Sequence, residues 1–253
     1  MTIIQSLALP VAFDNKDVIA QAKTGSGKTV AFSIPLVHKL NVKEFKIQSL
    51  VLAPTRELAN QIALEIRKLS RHIHNVKVLT LCGGVPFKPQ VVSLFHGAHI
   101  VVGTPGRILK HLEENNINVE HVTTLVLDEA DKMLDMGFYE DIMKIVEALP
   151  RNRQSLLFSA TYEHGIEKLS SAILKEAVMV KDEEEQVVKI EQIFYETKEE
   201  AKTALIPALI SQHKAQSVLI FCNTKIKCDE LAQELFDLGL DVQTLHANME
   251  QKD

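Results

Sequence analysis

Residues Ala22-Lys23-Thr24-Gly25-Ser26-Gly27-Lys28-Thr29 have the types and order of a loop that wraps a polyphosphate. Gly25 and Gly27 allow the backbone to turn tightly and aim its N–H groups inward. Lys28 is spaced to reach the β- and γ-phosphates, and the Thr29 hydroxyl to take a place on a magnesium ion. Ala22 stands where such loops usually begin with glycine. Much later in the chain, Asp128-Glu129-Ala130-Asp131 follows the apolar run Thr124–Leu127. Asp128 is expected to hold Mg2+, partly through water, and Glu129 to orient or deprotonate an attacking water. Read alone, this acidic run is also an ordinary helix start, because acids favour a helix N-terminus. With the phosphate loop upstream, the metal reading is preferred, and Lys28, Asp128 and Glu129 form the expected catalytic set.

These groups need a scaffold that brings distant segments together. Strand-length apolar runs recur at Val18–Ala20, Leu50–Ala53, Val76–Leu81, Ile100–Gly103, Thr124–Leu127 and Ser155–Phe158. They are nearly continuous rather than alternating, which suits a parallel sheet covered on both faces. Between them, Leu58, Ile62, Ile66 and Leu69 share one helix face, as do Ile142, Ile145, Val146 and Leu149. The alternation predicts an α/β fold, a doubly wound and mostly parallel sheet, over residues 1–180. The charged stretch 181–190 reads as a linker. A second α/β pattern then occupies 191–253, with strands expected at Ile193–Tyr195, Val218–Phe221 and Val242–Leu245. A helix face is expected from Cys228, Leu231, Leu235 and Leu238. This second lobe reads as incomplete, with an open sheet edge. Every notable polar motif directly follows a predicted strand, and ligands of open α/β sheets bind outside the carboxyl ends of the strands.

Net charge is −5, which argues against a broadly basic nucleic-acid protein. The sign is uneven: residues 1–180 carry 20 basic and 18 acidic side chains, and 181–253 carry 8 and 15. Contacts to a polyanion must therefore be local and made partly by backbone amides. No apolar run reaches the roughly 20 residues of a membrane span, and no secretory signal opens the chain. Cys82, Cys222 and Cys228 lack zinc-ligand spacing and read as reduced thiols. A cytoplasmic monomer is expected.

Taken with Pro54-Thr55-Arg56-Glu57-Leu58-Ala59, Gly83-Gly84, Thr104-Pro105-Gly106-Arg107, Ser159-Ala160-Thr161 and Phe221-Cys222-Asn223-Thr224, the two acidic and phosphate-loop motifs make the chain resemble the DEAD-box ATP-dependent RNA helicases over essentially its whole length. The resemblance implies two RecA-like lobes, ATP and Mg2+ as cofactors, and coupling of ATP hydrolysis to RNA duplex unwinding. It gives Gln5 the role of reading adenine, which an amide can do bidentately. It assigns Pro54, Thr55, Arg56, Gly83, Gly84, Thr104, Pro105, Gly106, Arg107, Phe221, Asn223 and Thr224 to the RNA backbone. It makes Asp131, Ser159 and Thr161 the link between nucleotide and strand separation. Each RNA-contact segment also has a plain reading as a capped turn, a tight turn or a helix entry. Leu81–Phe87, Ile190–Thr197 and Phe221–Lys225 resemble a bacterial ribosomal-RNA branch of the family, which points to ribosome assembly.

The chain departs from the family pattern at both ends. The aromatic and proline that normally precede Thr2–Gln5 are missing, and Leu245–Asp253 stops one residue before the arginine of a Gln-x-x-Arg segment, with Ala247 in place of a usual glycine. Second-lobe arginines that act on the γ-phosphate are expected to be lacking, at a cost of about 10³–10⁵ in turnover. These 253 residues are thus expected to bind nucleotide but hydrolyse ATP weakly. The alternative is a nucleotide-dependent RNA-binding module without turnover.

Overall fold

The computed structural model describes residues 1–182, 190–198, 201–246 and 248–249. The chain divides into two compact units, Met1–Glu185 and Gln186–Asp253.

In the first unit, helix α1 (Ile3–Phe13) leads into β1 (Val18–Gln21), and strands and helices then alternate. They run α2 (Lys28–His38), β2 (Ser49–Leu52), α3 (Arg56–Leu69), β3 (Val78–Leu81), α4 (Phe87–Phe95), β4 (Ile100–Gly103), α5 (Pro105–Glu113) and β5 (Thr124–Leu127). After these come α6 (Ala130–Asp135), α7 (Tyr139–Ala148), β6 (Gln154–Ser159), α8 (His164–Ile173) and β7 (Val178–Lys181). The strands form one sheet in the order β3-β4-β2-β5-β6-β1-β7. Every pairing is parallel, so the expected α/β class holds and the sheet is parallel throughout.

Two cores lie on opposite faces of the sheet, and consecutive strand residues divide between them. Val51, Ile100, Val102, Val126, Leu156 and Phe158 pack with Ile4, Phe32, Leu36, Ile62 and Ile66 of α1, α2 and α3. Leu50, Leu52, Val101, Leu125, Leu127 and Leu157 pack with Ile108, Met133, Ile142, Ile145 and Leu169 of α5 to α8. This double burial is why the runs are continuously apolar: a strand covered on both faces has no solvent side to make polar. The predicted faces of α3 and α7 are seated as read, with Ile62, Ile66, Ile142 and Ile145 fully buried.

The sequence reading missed β7. It is an edge strand whose burial alternates and whose last residue, Lys181, had been taken as the start of the linker. Pairing with β1 at the sheet edge recruits the run Val178–Lys181 into the sheet. The rest of the expected linker falls largely on residues 183–189, outside the described residues.

The second unit departs further from expectation. It contains α9 (Lys202–His213) and α10 (Lys225–Asp237). Among the described residues, Ile193–Tyr195, Val218–Phe221 and Val242–Leu245 form no strand ladder. Their large side chains face solvent, with Phe194, Leu219, Phe221 and Leu245 all strongly exposed. A parallel strand needs hydrogen-bonded neighbours and cover on both faces, and two helices supply too little. On α10, Leu231 and Leu235 are buried, whereas Leu238 is its C-cap and is exposed. The stretch read as approaching a Gln-x-x-Arg segment includes Ala247 and 250–253, which lie outside the described residues.

Phe32 is fully buried, its ring centroid 5.2 Å from that of Phe158 across the face where the phosphate loop enters α2. Phe32→Ala should cost about 3–5 kcal/mol in denaturant unfolding. Phe95→Ala, at an exposed ring, should stay within about 0.5 kcal/mol.

Candidate functional site

The loop after β1 turns on two left-handed glycines, Gly25 at φ +84° and Gly27 at φ +92°. A Cβ at Gly25 would meet open space, so backbone conformation alone demands glycine there. A Cβ at Gly27 would also strike the Gln5 amide and the Thr2 hydroxyl. The start of α1 therefore rests against the loop. Gln5 Nε2 donates to Gly27 O at 3.2 Å, and Thr2 N donates to Gln5 Oε1 at 3.0 Å. Gln5 thus sits at the loop, where its amide is held by protein atoms.

Lys28 opens α2 and is buried, its Nζ donating to Ala22 O at 2.7 Å. Ala22 is itself buried, and its N–H donates to Ser159 O at 3.0 Å. Lys23, Thr24 and Gly25 are exposed at the tip, while Ser26 and Thr29 are partly covered. The Ser26 hydroxyl oxygen is buried without a hydrogen-bond partner.

Asp128 follows β5 and is only 2% exposed. Burial pushes its carboxyl up to about 6; the Lys28 ammonium pulls it down and Glu129 pushes it up again. Its Oδ1 accepts from Glu129 N at 3.0 Å. Glu129 occupies the left-handed region at φ 51°, a conformation disfavoured for a residue with a side chain and concentrated at functional sites. The turn aims its carboxylate back toward the phosphate loop. Thr24 Oγ1 donates to Glu129 Oε1 at 3.4 Å, and Lys132 Nζ pairs with Oε2 at 2.8 Å. That bond holds the Lys132 ammonium above its ordinary pKa. The sequence reading overlooked Lys132, although it follows Glu129 at the i,i+3 spacing of helical ion pairs.

Asp131, in the first turn of α6, closes the site onto β6. Its Oδ2 accepts from Ala160 N at 3.1 Å, Thr161 N at 3.2 Å and Thr161 Oγ1 at 3.4 Å. Ser159, the last residue of β6, is buried with an unpartnered hydroxyl.

A buried acid beside a buried lysine, unpartnered hydroxyls and a glycine-turned loop fit a triphosphate with Mg2+. One carboxylate and one hydroxyl suit Mg2+, which keeps several of its waters.

The remaining motifs end the other strands of the sheet. Thr55 caps α3, accepting from Leu58 N at 3.2 Å. Pro54 is buried and Arg56 reaches the next loop, its Nη1 donating to Gly84 O at 3.5 Å. Gly83 and Gly84 are exposed, Gly84 at φ +75°. Thr104 precedes α5, Pro105 occupies its first turn and Gly106 follows. Arg107 donates from Nη1 and Nη2 to Val85 O at 3.2 and 3.3 Å. In the second unit Thr224 caps α10, accepting from Lys227 N at 3.1 Å, and Phe221 and Asn223 are exposed.

A parallel sheet bearing these groups along its carboxyl rim is an α/β domain of the RecA-like, nucleotide-handling kind. Residues 2–169 match the family model described as DEAD/DEAH box helicase, and the chain belongs to that family. It is 45% identical over 254 residues to the ATP-dependent RNA helicase DbpA of Escherichia coli, a match covering 100% of this chain and 56% of that protein. It is 42% identical over 252 residues to the DEAD-box ATP-dependent RNA helicase CshA of Geobacillus kaustophilus, covering 99% of this chain and 54% of that one. A crystal structure of a DEAD box protein from Methanococcus jannaschii superposes with a TM-score of 0.69 at 38% identity, covering 99% of this chain and 68% of that one. The chain spans about half the length of the curated relatives it matches. Among the described residues, no helix is long and apolar enough to cross a membrane.

The raised Asp128 carboxyl sets a pH dependence. The folded protein holds this proton more tightly than the unfolded chain, so burial of the charge costs stability as pH rises from about 4 through about 6. In buffer without divalent cations, Asp128→Asn should stabilise the protein at pH 7.5 by up to about 3 kcal/mol. The gain should vanish near pH 4, as read by denaturant unfolding at the two pH values.

Proposed function

We propose that the chain is the nucleotide-binding part of an ATP-dependent RNA helicase. It binds ATP with Mg2+ at the loop Ala22–Thr29 and grips RNA by its backbone along the same rim. The observation that carries this is the meeting, at the ends of neighbouring strands, of the buried Lys28 and Asp128 with the left-handed Glu129 and the Asp131 bonds to Ala160 and Thr161.

In this reading Lys28 turns from Ala22 O to the β- and γ-phosphates, and N–H groups around Gly25 and Gly27 receive phosphate oxygens. The Thr29 hydroxyl and Asp128 hold Mg2+, partly through water. When bound, the ion neutralises phosphate charge that develops during transfer. Glu129 orients the attacking water, and Thr24 and Lys132 fix the direction of its carboxylate. Gln5, already on the loop, faces the adenine.

Asp131 gives the site a route outward. A carboxylate that takes three donors from Ala160 and Thr161 makes the end of β6 move with the end of β5. Any shift of Asp128 and Glu129 on nucleotide exchange therefore reaches Ser159 and Thr161. In the first unit RNA would lie across Pro54–Arg56, Gly83–Gly84 and Thr104–Arg107; in the second, Phe221, Asn223 and Thr224 are the proposed RNA contacts. Backbone amides and two arginines read phosphate and sugar, so little sequence preference is expected. The resemblance of Leu81–Phe87, Ile190–Thr197 and Phe221–Lys225 to a ribosomal-RNA branch of the family favours structured ribosomal RNA as the target. The proposed protein acts as a monomer in the cytoplasm, with residues 1–180 as its ATP-binding lobe and 191–253 as part of the second.

The test is nucleotide binding by calorimetry and phosphate release with and without RNA. ATP should bind only weakly without Mg2+, and Lys28→Ala should lower affinity at least tenfold, the worth of one charge-assisted bond to phosphate of about 1.4 kcal/mol or more. Phosphate release by these 253 residues should stay weak with or without RNA, and strong RNA-stimulated release would overturn that expectation. Failure of both ATP and ADP to bind wild-type protein would refute the reading.

A further inference from the structure

Gln90 and His111 belong to none of the motifs, yet both are buried, and the Gln90 Oε1 links His111 to Arg107. Gln90, on α4, donates from Nε2 to Cys82 O at 3.0 Å, which fixes the orientation of its amide. Its Oε1 then faces α5, 3.1 Å from Arg107 Nη1 and 2.9 Å from His111 Nε2. A carbonyl oxygen accepts two hydrogen bonds, so both neighbours must donate. The His111 proton is accordingly on Nε2, and Nδ1 is buried with no partner. Burial and the charge of Arg107 hold the imidazole down to about 4, so it stays neutral.

The aromatic contacts complete the cluster. The Phe87 ring stacks on His111 with centroids 4.2 Å apart and planes 14° from parallel. Arg107 Cζ lies 5.4 Å and Lys110 Nζ 4.8 Å from the Phe87 centroid. Phe87 is the first residue of α4, directly after the loop that carries Gly83, Gly84 and Val85. That loop is tied to α5 three times: through Val85 O, through Cys82 O by way of Gln90, and through the Phe87 ring.

An unrestrained arginine samples many rotamers, and ordering it on a phosphate opposes binding. Here the guanidinium is held beforehand on two acceptors and one ring, and all are anchored to the glycine loop. We infer that Gln90 and His111 are positioning residues that pre-set Arg107 and lock the Gly83–Val85 loop to the start of α5, so that both segments meet the RNA backbone as one rigid surface. The inference rests on the RNA-binding reading above and adds to it two residues that touch no RNA themselves.

The test is a double-mutant cycle on this chain. Affinity for a labelled single-stranded RNA is measured by fluorescence anisotropy, with Mg2+ and a non-hydrolysable ATP analogue present. The proteins are wild type, Gln90→Leu, Arg107→Ala and the double variant. In parallel, 15N relaxation of the Arg107 Nε–H reports its order without RNA. Gln90→Leu should weaken RNA binding roughly tenfold, as loss of the Arg107 contact itself would. The double variant should be no worse than Arg107→Ala, since the two act as one unit. The Arg107 Nε–H should be ordered in wild type and mobile in Gln90→Leu, with thermal unfolding confirming that the variants fold. Additive losses, or an Arg107 equally ordered in both proteins, would overturn the inference. An Arg107 that loosens in Gln90→Leu while wild type binds no RNA would instead overturn the RNA-binding reading and, with it, the role assigned to Gln90 and His111.

Discussion

Parallel strands cannot be joined by a tight turn, so each pairing in this sheet needs a crossover, and each crossover here carries at least one helix. The helices cover both faces and leave the strand ends open. Because all pairings are parallel, the carboxyl ends share one rim. Whatever follows a strand is delivered there, however far apart in sequence. Lys28, Asp128 and Ser159 are neighbours for this reason, and the two cores that flank the sheet hold that rim in place.

The strand order then sorts the rim. Along the first unit the phosphate loop comes first, its three segments proposed for RNA come next, and the acidic motif and Ser159–Thr161 come last. In space the order β3-β4-β2-β5-β6-β1-β7 separates them. The strands before the nucleotide motifs, β5, β6 and β1, lie side by side. Those before Pro54–Arg56, Gly83–Gly84 and Thr104–Arg107, which are β2, β3 and β4, form the other half. The boundary is the β2–β5 pair, where Asp128 N donates to Leu52 O at 3.0 Å. Side chains reach between neighbouring segments within each half: Thr24 to Glu129 and Asp131 to Thr161 in one, Arg56 to Gly84 and Arg107 to Val85 in the other.

Charge burial gives the half proposed for nucleotide its character. Asp128 and Lys28 are both taken from water, and the lysine offsets only part of what desolvation costs the carboxylate. A buried carboxylate of this kind is poorly served by the protein alone and would be better served by a cation. The opposite half is built differently. His111 is buried in neutral form, and Gln90 satisfies its neighbours without placing another charge inside.

Much of this was legible in the sequence. Continuous apolar runs identified six strands of the first unit, because double-sided burial leaves no polar alternation. The glycines of the phosphate loop and the acids after β5 were legible because their chemistry tolerates few other residues at those spacings. What the sequence did not reveal depends on neighbours. β7 exists because β1 offers it a hydrogen-bonding edge, and its partly exposed Val178–Lys181 run, beside the charged stretch, gave no sign of that. The three strands expected in the second unit are absent for the converse reason: apolar runs without a partner edge and covering helices make no ladder. Gln90 and His111 were unremarkable in a linear reading, since their meaning lies in a shared oxygen contact with Arg107 that only the packing of α4 on α5 creates. Residue type and spacing thus determined which chemistry the chain carries and that its bearers follow strands. The order of the strands, which local sequence does not encode, decided which of those groups meet.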